Sequence, residues 1–298
     1  MAASSDTVLA APHDLGAMLD VLRERAAVGV VYSGDPDAPG NVIERTANAR
    51  PWKSYKKVAG QIAEALSQKG FKSVELVSEG PELQRALERR RYQLLWLNSA
   101  GLQGKGPTAH APAMLESLGF PYVGHEPLQA ALLDDKVLLK QWLRGVGLPT
   151  APFIVRAGGS RSLVLRTDPD YAREFGPGFA GPYLLKPALG RGSVDVQVVD
   201  DISTLAPLIA ELTAKTNDRV IVEQFLPGQE YCVWAARGLQ LRDGRVAGHQ
   251  EVVSFGHSER LFPFRERIFL KKENQIGIAD PARMLSDKEA ALRDDMSY

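Results

Sequence analysis

Four groups of residues along this 298-residue chain have the types and spacing to hold a polyanionic ligand. Asp135-Lys136 stands at a predicted helix start, and Lys140 lies one helical turn further on. Lys186-Pro187 ends a predicted strand and runs into the turn Gly190-Arg191-Gly192-Ser193. Glu223-Gln224-Phe225-Leu226 ends another strand, and Glu230 follows the Pro227-Gly228 turn. Backbone N–H groups in a tight turn can point at phosphate oxygens, and glycine lets the chain approach them closely. Ser193 adds a hydroxyl donor and Lys186 a point charge. Taken singly, each group has an ordinary reading: a hairpin turn with a surface lysine, a solvated helix face, two surface carboxylates. The turn matches neither the P-loop pattern nor the GxGxxG dinucleotide fingerprint.

The elements that must position these residues fall into two patterns. Apolar runs at 28–32, 73–77, 94–97 and 122–123 read as strands. They alternate with helical periodicity after Ser54 (Val58, Ile62, Ala65, Leu66), over 81–90 and over 111–118. Ser54 is the expected N-cap and Gly70 the expected stop of the first of these helices. A helix over 135–146 closes the unit, ended by Gly147-Leu148-Pro149. This alternation predicts a parallel, Rossmann-like sheet covered by helices over 27–150, after an N-terminal extension over 1–26 with helical spacing at Leu15, Met18, Leu19 and Leu22. The second pattern is α+β. It has strands at 153–155, 183–187, 194–199 and 219–225, a loop rich in Gly, Arg and Pro up to Pro182, and a helix capped by Asp201 and running to Lys215. Two strands, 230–241 and 246–255, flank the hairpin signal Asp243-Gly244. We place domain boundaries at 27–150, 151–241 and 242–298.

Composition excludes several classes. Charge balances at 36 basic and 36 acidic residues, which gives no long-range pull toward nucleic acid or an anionic membrane. Cys232 is the only cysteine, so an intrachain disulfide and a cysteine-based zinc site are excluded. No run is long and apolar enough to span a bilayer, and the N-terminus lacks a secretory pattern, so the expected compartment is the cytoplasm.

Taken in order, these motifs resemble the ATP-grasp superfamily, and within it the D-alanine–D-alanine ligases. Three stretches carry the resemblance. The first is Phe120-Pro-Tyr-Val-Gly-His125 with Asp135-Lys136 and Gly147-Leu-Pro-Thr-Ala-Pro152. The second is Tyr183-Leu-Leu-Lys-Pro187 through Val199. The third is Val220 through Val233. The resemblance implies an α/β fold in which a Rossmann-like (pre-ATP-grasp) sheet precedes an α+β ATP-grasp lobe. It implies ATP as cofactor, with Mg2+ in the complete enzyme, small carboxylate and amine substrates, and often a homodimer. By resemblance Lys136 and Lys186 hold ATP phosphates, and Gly190, Gly192 and Ser193 form the glycine loop over them. Glu223 through Leu226 is the strand that meets adenine, and Glu230 accepts hydrogen bonds from ribose.

Two departures set further expectations. The ligases carry a His-Gly pair and a Gly-Glu-Asp-Gly turn where this chain reads from Asn98-Ser99 to His110, so D-alanine is not the expected substrate, and His110 is a second candidate. The family's Arg-x-Asp strand and Glu-x-Asn motif, which hold magnesium, have no counterpart after Phe255. The expectation is therefore a chain truncated before the metal site, with an incomplete second lobe that undercovers Val246, Val252, Val253 and Phe255. Asp280, Asp287, Glu289, Asp294 and Asp295 are metal candidates by composition alone. Three functions stay open: an ATP-dependent carboxylate–amine ligase acting through an acyl phosphate, a non-catalytic ATP-binding module, and a Rossmann-type binder of another ligand.

Overall fold

The computed structural model describes residues 15–40, 42, 52–157, 168–242, 245–260 and 282–284. Helix α1 (Leu15–Arg25) leads into strand β1 (Ala27–Tyr32), whose Val28, Val30 and Val31 are fully buried. Then follow α2 (Trp52–Gln68), β2 (Ser73–Ser78), α3 (Leu83–Arg90), β3 (Leu94–Asn98), α4 (His110–Ser117) and β4 (Tyr122–Val123). The four strands make a parallel sheet in the order β2-β1-β3-β4. Its core joins Val31, Val77, Leu83, Leu87, Leu95 and Leu115, from three strands and two helices. Truncation of fully buried Leu95 to alanine would cost about 2–5 kcal/mol.

Helix α2 starts two residues before Ser54, so Ser54 lies inside the first turn and does not cap it. Gly70, at φ +99°, ends it as expected, with the Phe71 amide donating back to the Leu66 carbonyl. The helix expected over 135–146 is α6 (Lys136–Gly145), and an unanticipated helix, α5 (Pro127–Asp134), stands between β4 and it. The extended Asp135 parts them, and its carboxylate accepts from the amides of Val137 and Leu138.

The second sheet is antiparallel, in the order β5-β8-β6-β7: β5 (Phe153–Arg156), β6 (Tyr183–Pro187), β7 (Gln197–Val199) and β8 (Val220–Gln224). Its faces are covered by different helices. On one face Tyr183, Leu185, Val220 and Val222 pack on Leu205, Ile209 and Leu212 of α8 (Leu205–Thr216). The other face sets Phe153, Ile221 and Ala188 against Val137 of α6. Alternation along β6 and β8 therefore aims Lys186 and Glu223 at α6. Within the region expected to be loop, Asp168 caps a short helix, α7 (Pro169–Phe175). Strand β7 starts at Gln197, three residues later than expected, because the chain from Gly190 to Asp195 is still turning through positive φ at Gly190, Gly192, Ser193 and Asp195.

A long hairpin, β9 (Tyr231–Arg242) and β10 (Arg245–Arg260), joins at Arg242↔Arg245 as the hairpin signal requires; Asp243 and Gly244 themselves lie outside the described residues. An unanticipated strand, β11 (Ala282–Met284), pairs with the end of β10 at Ser258–Arg260, so β10 has neighbours on both sides. The side chains of Val246, Val252, Val253 and Phe255 lie outside what is described.

Candidate functional site

Helix α6 and the turn after β6 build the site together. Lys136, in the first turn of α6, donates from Nζ to the carbonyls of Gly190 at 2.8 Å and Ala188 at 3.2 Å. Its position is set by Asp135, whose second carboxylate oxygen binds the Arg219 guanidinium at the start of β8. One helical turn on, Lys140 reaches the sheet. Its ammonium lies 2.9 Å from Glu223 Oε2 and 2.7 Å from Thr150 Oγ1, over the ring of Phe153. The Lys186 ammonium takes the other oxygen of the Glu223 carboxylate.

Glu223 and Lys140 are both buried, at 6% and 8% exposure. Burial lowers the Lys140 pKa, and the ion pair with Glu223 opposes that shift. A buried carboxylate between two ammonium groups has its charge compensated and both oxygens occupied.

These contacts arrange the expected residues in a line. Strand β6 pairs with β8 so that Pro187 faces Val220 and Tyr183 faces Gln224. The Gly190 turn therefore lies at the start of β8, and Leu226, exposed, lies just past its end. Five residues of extended chain span roughly 13–17 Å. Lys186 and Glu223 sit between those ends. Lys136, Gly190, Lys186 and Glu223 are thus brought together. Gly192, Ser193, Leu226 and half-buried Glu230 enter through their place along the chain at one end or the other. His110 is exposed at the start of α4. Asp280, Asp287, Glu289, Asp294 and Asp295 lie outside the described residues. Among the described residues, no group of three or more His, Cys, Asp or Glu side chains is placed to hold a metal ion.

A cleft of about 510 Å3 adjoins the turn. Asn98 and Ser99 wall it at the end of β3, as does His125 after β4. Asp134, Lys136, Gly190 and Arg191 wall it opposite, with Arg191 Nε 3.4 Å from Asp134 Oδ1. Crevices at the C-terminal ends of parallel strands are where open α/β sheets hold ligands. Lys136 and Gly190 belong to both the cleft and the β6–β8 face, so the two spaces meet there.

Three residues here carry weaker sequence signals. Lys140 is marked by spacing alone, since DKxxxK places both lysines on one helix face. Arg191 is marked only as a turn residue. Glu79, a carboxylate directly after a buried strand, was not singled out, and that position was its only signal.

No family model matches the chain. It is 30% identical over 190 residues to an uncharacterised protein of Sinorhizobium fredii, covering 61% of this chain and 52% of that one. It is 29% identical over 195 residues to a D-alanine–D-alanine ligase of Geobacter sulfurreducens, covering 65% and 55%. The chain thus spans about half the length of these curated relatives. Among solved structures, the D-alanyl-alanine synthetase A of Vibrio cholerae superposes with a TM-score of 0.59 at 17% identity, covering 91% of this chain and 79% of that one. The D-alanine–D-alanine ligase of Bacillus anthracis complexed with ATP gives 0.51 at 20% identity, covering 77% and 66%. These likenesses show a shared fold.

Proposed function

We propose that this chain, which shares the fold of D-alanine–D-alanine ligases and is similar to them in sequence, is an ATP-grasp protein that binds ATP along the β6–β8 face and serves an ATP-dependent carboxylate–amine ligase. The carrying observation is the shared carboxylate: Lys140 and Lys186 hold Glu223 midway between a glycine turn and the exposed Leu226. An extended nucleotide needs cations and N–H donors at one end, and acceptors for an amino group and a diol at the other. Lys136, Lys186, Gly190, Gly192 and Ser193 supply the first end. Glu223, the backbone up to Leu226, and Glu230 supply the second. The units at 27–150 and 151–241 would supply the acid-binding cleft and the nucleotide face.

In the reaction, a carboxylate oxygen of the acid attacks the γ-phosphorus and ADP leaves, giving an acyl phosphate. The amine nitrogen then attacks the acyl carbon, phosphate leaves, and the nitrogen loses a proton. The chain's residues contribute position and charge neutralisation rather than a covalent nucleophile. Lys136 and Lys186 face the charge that builds on the transferred group, and the cleft at Ser99 and His125 orients the acid. Magnesium, where bound, would neutralise phosphate charge and would need hard oxygen ligands. Among the described residues no group of three or more His, Cys, Asp or Glu side chains is placed to supply them.

Calorimetry with ATP tests binding, and phosphate release with ATP, magnesium and a panel of amino acids tests turnover. Failure of ATP to bind, with binding of nicotinamide cofactors instead, would overturn the reading in favour of another Rossmann-type ligand. Tight ATP binding without turnover would leave a binding module.

A further inference from the structure

Glu79 has no part in the nucleotide face, yet it is a buried carboxyl one hydrogen bond from the cleft. It directly follows β2, as Ser33 follows β1 and Ser99 follows β3, so three adjacent strand ends each place one polar side chain in a row. The Glu79 carboxyl is hydrogen-bonded to Ser99 Oγ, which lies 3.2 Å from Ser33 Oγ. The Gly101 amide donates to Ser99 Oγ at 3.0 Å, and the Ala100 amide donates to Ser33 Oγ at 2.8 Å. The backbone packs tightly here: a Cβ at Gly34 would fall 1.9 Å from the Glu79 carbonyl oxygen. Ser99 is the member of the row that lines the cleft.

Burial pushes the Glu79 carboxyl up to about 7, against the hydrogen bond from Ser99, which favours the ionised form. The side chains facing this corner from the ends of β1, β2 and β3 are Ser33, Ser78 and Ser99. Asp35 and Asp37 stand on the loop after Ser33.

Counting hydrogens gives the consequence. With Glu79 ionised, Ser99 donates to the carboxylate and accepts from Gly101 N–H and the Ser33 hydroxyl, so every hydroxyl hydrogen is used. With Glu79 neutral, its own O–H occupies the Ser99 lone pair that Ser33 had filled, and the Ser99 hydrogen is no longer held by the carboxylate. An anionic oxygen in the cleft would take it from Ser99. We propose that Glu79 is a positioning residue whose uptake of one proton releases the Ser99 hydroxyl as a donor to an oxyanion, a carboxylate or a phosphoryl group, held in the cleft. The proposal rests on the reading that this cleft receives an anionic reactant. It couples that reactant's binding to a proton on a residue that does not touch it.

The test is the carboxyl titration of Glu79 in the full chain, followed by carbon-13 NMR of labelled glutamate. The expected midpoint is near 7 in chloride. Acetate or sulfate at matched ionic strength should raise it by about 0.5 pH units or more, the threefold coupling that reciprocal linkage would make visible. A response to acetate alone marks a carboxylate as the occupant, and a response to sulfate alone a phosphoryl group. In Ser99→Ala the midpoint should no longer respond to either anion, whereas a purely structural Glu79 would give no response even in the wild type. A midpoint in the ordinary carboxylate range, or one near 7 that neither anion moves, overturns the proposal. Failure of the wild-type chain to bind ATP in calorimetry would instead sink the nucleotide assignment and leave this coupling standing.

Discussion

Lys140 Nζ lies 2.9 Å from Glu223 Oε2, an ion pair in which both side chains are about 90% buried, and Lys186 binds the second oxygen of the same carboxylate. Removing one partner of a buried pair leaves the other uncompensated. Lys140→Met should therefore destabilise the chain by roughly 3 kcal/mol, read as a lower urea midpoint. An unchanged midpoint would mean that Lys186 alone suffices to hold Glu223.

Lys186 is the member of that pair of lysines that stands next to the glycine turn. Lys186→Ala should weaken ATP binding by more than tenfold, or about 1.4 kcal/mol, in calorimetry at fixed salt. Equal affinities for variant and wild type would remove its phosphate role.

Glu230 follows the turn at the far end of β8. Glu230→Gln keeps the shape and loses the charge, and should weaken ATP binding by roughly 1.5–3 kcal/mol if a charge-assisted bond to ribose is lost. The wild type should also bind 2′,3′-dideoxy-ATP more weakly than ATP; indifference to the missing hydroxyls would refute the ribose assignment.

Burial raises the Glu79 carboxyl from 4.5 to about 7 in the folded chain. Between those values the folded chain holds a proton that the unfolded chain has released, so stability is full below 4.5 and is lost as pH rises through 7. The loss amounts to roughly 3 kcal/mol at 1.36 kcal/mol per unit. Glu79→Gln carries no such proton, so above pH 7 it should unfold at a higher urea concentration than the wild type. A wild type that gains stability over this range relative to Glu79→Gln would contradict the assignment.

Much of the scaffold was legible because its strands are short apolar runs between turn residues. Tyr183–Pro187 and Tyr122–Val123 begin and end where their composition changes. What escaped lacks that contrast. Helix α6 follows the expected 135–146 segment, but α5 is only eight residues long and stands one residue before it, across Asp135. Helix α7 is seven residues long and carries an Asp-Pro start inside a glycine-rich stretch. In the site, Lys136, Lys186, Gly190 and Glu223 were legible because local motifs mark them. The Lys140–Glu223 pair and the Glu79–Ser99–Ser33 row were not, because each joins residues far apart in sequence through side-chain direction and burial.

Helix α6 carries Lys136 and Lys140 one turn apart, with the first on the glycine turn and the second on the β8 carboxylate. About 6 Å of rigid backbone along the axis separates them. The helix is therefore a common mount for the glycine-turn end and the middle of the proposed nucleotide track. A displacement of its first turn, which begins beside Asp134 on the cleft wall, cannot move Lys136 without carrying Lys140 with it. Any shift of this helix is therefore felt at Gly190 and at Glu223 together.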